Sequence, residues 1–177
     1  MNTFISGILR SYPLILELSC FICYLITNNI ELLYIGLGLF INSRINNILK
    51  YIILKPIFGN YIFGLLGKRP DNAKNCGYFI NYNENTVNTY GMPSGHAQSV
   101  TFFLSYIINK YLNSNFSSMF KLISIIIFSI ITICVMYSRI YFNCHTVLQV
   151  VIGGLIGLYL GNLYYNFIFS VSTSSFL

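Results

Sequence analysis

The chain has 177 residues, of which 55% are hydrophobic and only 8% charged, and its mean hydropathy is +0.67. That composition excludes a disordered chain and argues against a water-soluble globular enzyme, whose charged share averages about a quarter. The formal charge is +6, but the basic residues are scattered between apolar runs. They form no dense patch of the kind that binds nucleic acid, and they suit a membrane protein meeting headgroups or phosphates.

Five apolar stretches are predicted to be helices. The first covers residues 12–27 and follows Arg10. It resembles a signal peptide but lacks a small-x-small cleavage site, so it reads as a retained helix. Glu17 inside it is expensive in lipid and is expected to face other helices. The second covers residues 30–54. Its later half carries Asn42, Arg44, Asn46, Asn47 and Lys50, which need the bundle or the interface, and Lys55-Pro56 is expected to end it. Residues 57–67 are apolar but too short to span, since a span needs about 20; they read as a re-entrant or interfacial piece. Residues 68–95 form one long polar, Asn-rich loop, and a loop of this length is usually functional.

The third helix is expected over residues 96–111, with Gln98, Ser99, Thr101 and Ser105 buried among its neighbours. The fourth lies between Lys121 and Arg139, the fifth covers residues 145–169, and a Ser-rich tail, 170–177, is expected to fray. Cys20, Cys23 and Cys134 lie in apolar runs and read as helix filler. Cys76 and Cys144 fall in polar segments on one membrane face, where a bridge between them is possible. The expectation is one all-α domain over residues 1–177, an integral membrane bundle of about five transmembrane helices with one long polar loop carrying part of the active site.

Three clusters carry the chemistry. The first is Lys68-Arg69-Pro70. The second is Pro93-Ser94-Gly95-His96. The third is Ser138-Arg139, then His145, then Gln149. Pro-Ser-Gly-His opens the third helix. Ser94 is a good N-cap, and Gly95 lets the backbone approach a ligand closely. The first turn's N–H groups and the positive end of the helix dipole make an anion site. His96 at its edge can give a proton to a leaving oxygen. Arg139 ends the fourth helix and His145 starts the fifth, so Arg69, Ser94, His96, Arg139 and His145 are expected to converge on one end of the bundle. Arginines suit bidentate phosphate binding, and two histidines can divide nucleophile and acid roles. On the fifth helix, His145, Gln149, Gly153, Gly157 and Gly161 recur every fourth residue, a stripe that permits close packing.

These clusters resemble the type-2 phosphatidic-acid phosphatase superfamily, which also includes vanadium haloperoxidases. Its marks are K-x6-R-P, P-S-G-H and S-R-x5-H-x3-D. P-S-G-H matches at Pro93 to His96, S-R-x5-H at Ser138, Arg139 and His145, and R-P at Arg69-Pro70, with a motif core over residues 55–161. Two positions depart. Ile62 stands where the lysine belongs, so that Lys55, Lys68 or Lys50 must supply the charge; Lys55 is favoured because the family lysine sits at a helix end. Gln149 replaces the aspartate. G-M-P-S-G-H-A-Q together with H-T-V-L-Q-V is similar to dolichyl-diphosphate phosphatases, which carry glutamine there.

The resemblance implies a metal-independent phosphatase, with no cofactor, acting on a membrane lipid phosphate or diphosphate: polyprenyl or dolichyl diphosphate, or a phosphatidate-like lipid. His145 would attack phosphorus and form a phosphohistidine, with Gln149 orienting it and His96 protonating the leaving oxygen. Arg69, Arg139, Lys55 and the turn of Ser94 and Gly95 would bind phosphate. A lipid phosphotransferase and a non-catalytic lipid-phosphate binder stay open as alternatives. The expected partners are the lipid substrate and the membrane, not nucleic acid. The expected location is multi-pass in the endoplasmic reticulum or another internal membrane.

Overall fold

A computed structural model describes residues 3–58, 64–78 and 89–174. Among these the chain is helical, with a single isolated bridge between Lys68 and Tyr90. Five long helices build it: α1 (Thr3–Thr27), α2 (Ile30–Ile48), α5 (Gly95–Leu112), α6 (Ser118–Tyr141) and α7 (Val147–Ser174), with the short α3 (Lys55–Phe58) and α4 (Gly64–Gly67) between them. Among the described residues four helices are long and apolar enough to cross a membrane: those carrying residues 4–27, 30–57, 118–141 and 147–170. Their outer faces carry Leu25, Ile52, Ile133, Tyr159 and Phe167, all more than half exposed. A continuous apolar coat of this kind is stable against lipid rather than water.

α5 is the fifth long helix and occupies the centre, packed against α2, α6 and most closely α7. Its polar residues Gln98, Ser99, Thr101 and Ser105 are buried, as the sequence leads one to expect. Gly153 and Gly157 make the α5–α7 approach possible. A Cβ on Gly153 would stand 2.5 Å from the Ser94 carbonyl oxygen, and one on Gly157 would strike the Gln98 carbonyl and the Thr101 hydroxyl. An aromatic and aliphatic core of Ile35, Leu39, Phe102, Phe103, Tyr106 and Tyr165 fills the half of the bundle away from the histidines.

Several expected boundaries move. α1 starts at Thr3, not near residue 12, and runs through Pro13. Proline removes one ladder bond, but inside a bundle neighbouring groups can satisfy the freed carbonyls. The second helix does not stop at Lys55-Pro56. It passes into a π-helical turn, Leu49–Leu54, and then α3. Pro56 thus falls in the first turn of a new α segment, where a missing N–H costs little. The tail expected to fray is helical to Ser174. Residues 1–2, 59–63, 79–88 and 175–177 lie outside the described part, and with them the middle of the re-entrant piece, part of the polar loop and the last residues of the tail. Glu17 is half-buried on the α2 side of α1, close enough to feel the charge of Arg44.

Candidate active site

At one end of the bundle a cavity of about 470 Å³ is lined by Asn46, Lys50, Tyr78, Gly95, His96 and His145, among others. On the α2 side Asn46 and Lys50 line it, and Asn42 lies one turn before Asn46; the three are spaced by four and therefore share one helix face. All three are buried. Asn46 Nδ2 donates to Gln98 Oε1 at 2.7 Å, and Gln98 Nε2 donates to Asn42 Oδ1 at 2.9 Å. These amides lock α2 to α5 and leave Lys50, one turn further on, to project into the cavity from the π-helical turn. π turns are uncommon and recur at functional sites.

α5 supplies the next wall. Ser94 occupies the N-cap position, and its carbonyl accepts the first helical bond from Gln98 N at 3.0 Å. Its hydroxyl does not cap the helix, contrary to the sequence expectation. Ser94 Oγ is fully buried without a partner, held in place by the Gln149 carbonyl, which accepts from Ser94 N at 3.1 Å. His96, one residue into the helix, stacks at a tilt on Tyr78 with ring centroids 5.3 Å apart. Its Nε2 lies 2.7 Å from the Arg10 carbonyl oxygen of α1.

Arg139 lies in the last turn of α6, and His145 near the end of the α6–α7 connection, two residues before α7. Arg139 is completely buried. Its Nη2 donates to the Cys76 carbonyl at 2.8 Å, while Nε and Nη1 have no partner. Buried charged donors left unmet cost at least roughly 1–3 kcal/mol each, and an anion is the chemistry that would satisfy them. Cys76 and Cys144 form a disulfide, which ties the polar loop to the residue preceding His145. Arg69 crosses the same gap. Its Nε donates to Thr89 Oγ1 at 2.7 Å and its Nη1 to the Cys144 carbonyl at 2.7 Å, and Nη1 lies 3.1 Å from His145 Nε2.

Gln149 fixes the state of His145. It is fully buried on the first turn of α7, where Gln149 N donates to Thr146 Oγ1 at 3.3 Å. Its Nε2 donates to the carbonyls of Leu66 at 3.0 Å and Lys68 at 2.9 Å. Those two acceptors determine which way the amide faces. Oε1 therefore points at His145 Nδ1, 3.2 Å away, and also accepts from Thr146 N at 3.3 Å. A neutral His145 then carries its proton on Nδ1 and offers the Nε2 lone pair to the cavity, where Arg69 Nη1 covers it. Burial first, then the charges of Arg69, Arg139 and Lys50, hold the His145 imidazole well below its ordinary pKa of 6.5.

Arg69, Ser94, Gly95, His96, Arg139, His145 and Gln149 thus come together at one end of the bundle. Lys55 does not join them. It is exposed and does not line the cavity, whereas Lys50 is in the cavity wall. Lys68 is half-exposed and pairs with Asp71 at 3.5 Å. Arg10, which reads in sequence as the flank of a signal-like segment, is buried beside the site with its guanidinium carbon 4.1 Å from the centre of the Phe142 ring. A cation at the head of an apolar run followed by proline is the signal that could have revealed it. Among the described residues no group of three or more His, Cys, Asp or Glu is arranged to hold a metal ion.

The family model of the PAP2 superfamily matches residues 31–172. The dolichyldiphosphatase of Saccharomyces cerevisiae is 27% identical over 168 residues, covering 92% of this chain and 62% of its own length. Dolichyldiphosphatase 1 of Dictyostelium discoideum is 35% identical over 83 residues, 45% of this chain and 36% of its own. The chain therefore spans less than two thirds of either relative. No solved structure matches it.

Proposed function

Because the chain belongs to the PAP2 superfamily, we propose that it is a membrane phosphatase that hydrolyses an isoprenoid-linked diphosphate through a phosphohistidine on His145. The observation that carries this reading is the buried Arg139 with two unmet donors, whose charge bears on His145, together with a His145 ring whose Nε2 is the unprotonated nitrogen. A phosphoryl group fits such a place: its oxygens meet guanidinium donors, and its phosphorus meets a lone pair. The names of the relatives, both dolichyldiphosphatases, support the isoprenoid diphosphate as substrate class.

In the reaction the terminal phosphoryl group draws Arg69 Nη1 from His145 Nε2 onto its own oxygen. Nε2 then attacks phosphorus while the bond to the bridging oxygen breaks. The Nδ1 proton stays against Gln149 Oε1, which stabilises the cationic ring as it forms. His96 gives its proton to the leaving oxygen. Lys50, Arg69, Arg139, Ser94 Oγ and the first-turn N–H groups of α5 hold the developing charge, the usual large term in such chemistry. Water then attacks the phosphohistidine, His96 takes its proton, and phosphate leaves. The cavity wall is cationic and lined by no carboxylate among the described residues, so the substrate's charge is met by side chains and a divalent cation would be repelled.

The test is phosphate release by purified protein from a panel of lipid phosphates in mixed micelles. Turnover should favour polyprenyl diphosphate, and rapid acid-free quenching should trap a phosphohistidine absent from His145→Ala. No release from any lipid phosphate or diphosphate by the wild-type protein would overturn the proposal.

A further inference from the structure

The two arginines of the site are anchored in the same way. Arg139 Nη2 donates to the Cys76 carbonyl at 2.8 Å, and Arg69 Nη1 donates to the Cys144 carbonyl at 2.7 Å. Cys76 and Cys144 are the two halves of one disulfide, so a single covalent bridge carries both acceptors. A guanidinium is a rigid planar fork, and holding one of its N–H groups constrains where the others can point. For Arg139 the others include Nε and Nη1, both buried without a partner. For Arg69 the second N–H of Nη1 is the one left to meet His145 Nε2 at 3.1 Å.

The direction of each carbonyl has a local cause in the sequence. Each cysteine follows an asparagine, and both asparagines take the left-handed backbone conformation: φ is 53° at Asn75 and 52° at Asn143. Among residues with a side chain, asparagine is one of the few that adopt it readily. At Asn143 this conformation ends α6. Asn143 N donates to the Ile140 carbonyl at 2.9 Å and Cys144 N to the Arg139 carbonyl at 3.0 Å, closing the last helical turn. The chain is thereby brought back over the helix end, and Cys144 is set beside the residue whose side chain the other cysteine holds. Both cysteines are buried together with Ala73, and Phe142 packs against them. Two Asn-Cys steps, one in the polar loop and one after α6, thus present their carbonyls to two guanidinium groups.

We infer that the Asn75-Cys76 and Asn143-Cys144 steps are positioning residues for phosphate binding, each acting through one arginine. Asn143 acts through the Cys144 carbonyl on Arg69, and Asn75 acts through the Cys76 carbonyl on Arg139. This rests on the proposed reading of the site as a phosphate site. An arginine side chain has many rotamers, and a ligand that must order it loses affinity. With both guanidinium groups already held on carbonyls, and the carbonyls joined through the disulfide, that ordering is done before phosphate arrives.

Binding of inorganic phosphate to the purified protein in micelles, read by titration calorimetry, tests it without turnover. Asn143→Val and Asn75→Val each force a β-branched residue into the left-handed region. Each should weaken phosphate binding about tenfold, the scale of one misplaced charge-assisted donor. The pattern should be crossed, which a general loss of structure would not produce. The loss from Asn143→Val should shrink to about threefold or less in an Arg69→Gln background and persist in Arg139→Gln, and the loss from Asn75→Val should do the reverse. Asn143→Gly and Asn75→Gly, which keep the left-handed turn, should bind phosphate as the wild type does. If a valine variant loses its helix content, the milder Asn→Ala change at that position is judged by the same crossed pattern. Losses of equal size in both arginine backgrounds mark a merely structural turn and overturn the inference, and so does full phosphate affinity in the folded variants. A wild-type protein that binds no phosphate overturns instead the phosphate-site reading beneath it.

Discussion

Gln149→Glu changes one atom group at the most constrained position of the site. The glutamine Nε2 that donates to the Leu66 and Lys68 carbonyls, at 3.0 and 2.9 Å, becomes an oxygen facing two oxygens. The residue is fully buried, so water cannot take over. Two carbonyls left unmet cost about 1–3 kcal/mol each, and a protonated Glu recovers one of them. The net penalty is therefore roughly 1–3 kcal/mol if Glu protonates and about 2–6 if it does not. Strain of that size is relieved by moving the segment that ends at Lys68, and Arg69 is the next residue. With 1–3 kcal/mol expressed at Arg69 and His145, kcat falls about five- to 150-fold. Gln149→Asp fares no better, because its shorter side chain cannot span from His145 to the two carbonyls. The family pattern, with aspartate at this place, leads to the opposite expectation of an active Asp variant. Phosphate release measured with a fold check by circular dichroism decides between them. A Glu or Asp variant within threefold of wild type, with an unchanged pH profile, would refute the reasoning.

His145→Ala should abolish turnover while the helix content stays unchanged, and a variant keeping more than a tenth of the rate would remove His145 from the nucleophile role. The depressed pKa of His145 sets a sign. The unfolded chain takes up a proton near 6.5 while the folded ring stays neutral, so acidification through 6.5 lowers the stability of the empty protein. For the same reason the acid limb of kcat/KM, corrected for substrate ionisation, should lie below 6.5 and move upward in Arg69→Gln; a limb above 6.5 in wild type would contradict the burial argument. Activity should survive EDTA, and loss restored by Mg²⁺ would show that a metal meets the charge instead. Reduction of Cys76–Cys144, which closes a loop of 68 residues in sequence, should cost about 4 kcal/mol in the chain-entropy account and lower activity through the freed loop beside His145; full activity in dithiothreitol would show that the bridge does not hold the site. Because disulfides persist in oxidising compartments, the site face should be non-cytosolic and Asn115, in the one Asn-x-Ser/Thr sequon at the other end, unglycosylated.

The motif residues were legible because their chemistry is local. P-S-G-H specifies a turn into a helix by its own residues, and a short linker after Arg139 returns His145 to the same face whatever the bundle does. The every-fourth-residue stripe from His145 to Gly161 likewise required only helix periodicity, and its glycines face α5 as a packing seam should. Three things were not legible. The lysine depended on which end-of-helix cation reaches the site: Lys50 continues the face of Asn42 and Asn46 and lines the cavity, whereas Lys55 at the helix end is exposed. Arg10 depended on a contact across 86 residues, invisible to any local pattern. The second duty of Gln149 was also hidden: its reach toward His145 follows from i, i+4 spacing, but its two bonds to the Leu66 and Lys68 carbonyls exist only once the polar loop is folded over α7.

Those two bonds also bear on why the position holds a neutral residue. With aspartate it would contribute a negative charge next to Arg69, Arg139 and Lys50, offsetting one of the three cations that bear on His145. With glutamine the histidine keeps its tautomer, but none of the positive charge is neutralised from within, and no carboxylate among the described residues lines the cavity. Buried cations without counter-charges are costly unless a ligand pairs with them. The more charge the ligand brings, the better this pocket is satisfied, and a diphosphate brings more than a phosphate monoester. On the proposed reading, the substitution that departs from the aspartate pattern favours the more highly charged substrate. The loop carbonyls that accept from Gln149 Nε2 make that neutrality a requirement of the fold, since a carboxylate there would face two oxygens with nothing to donate.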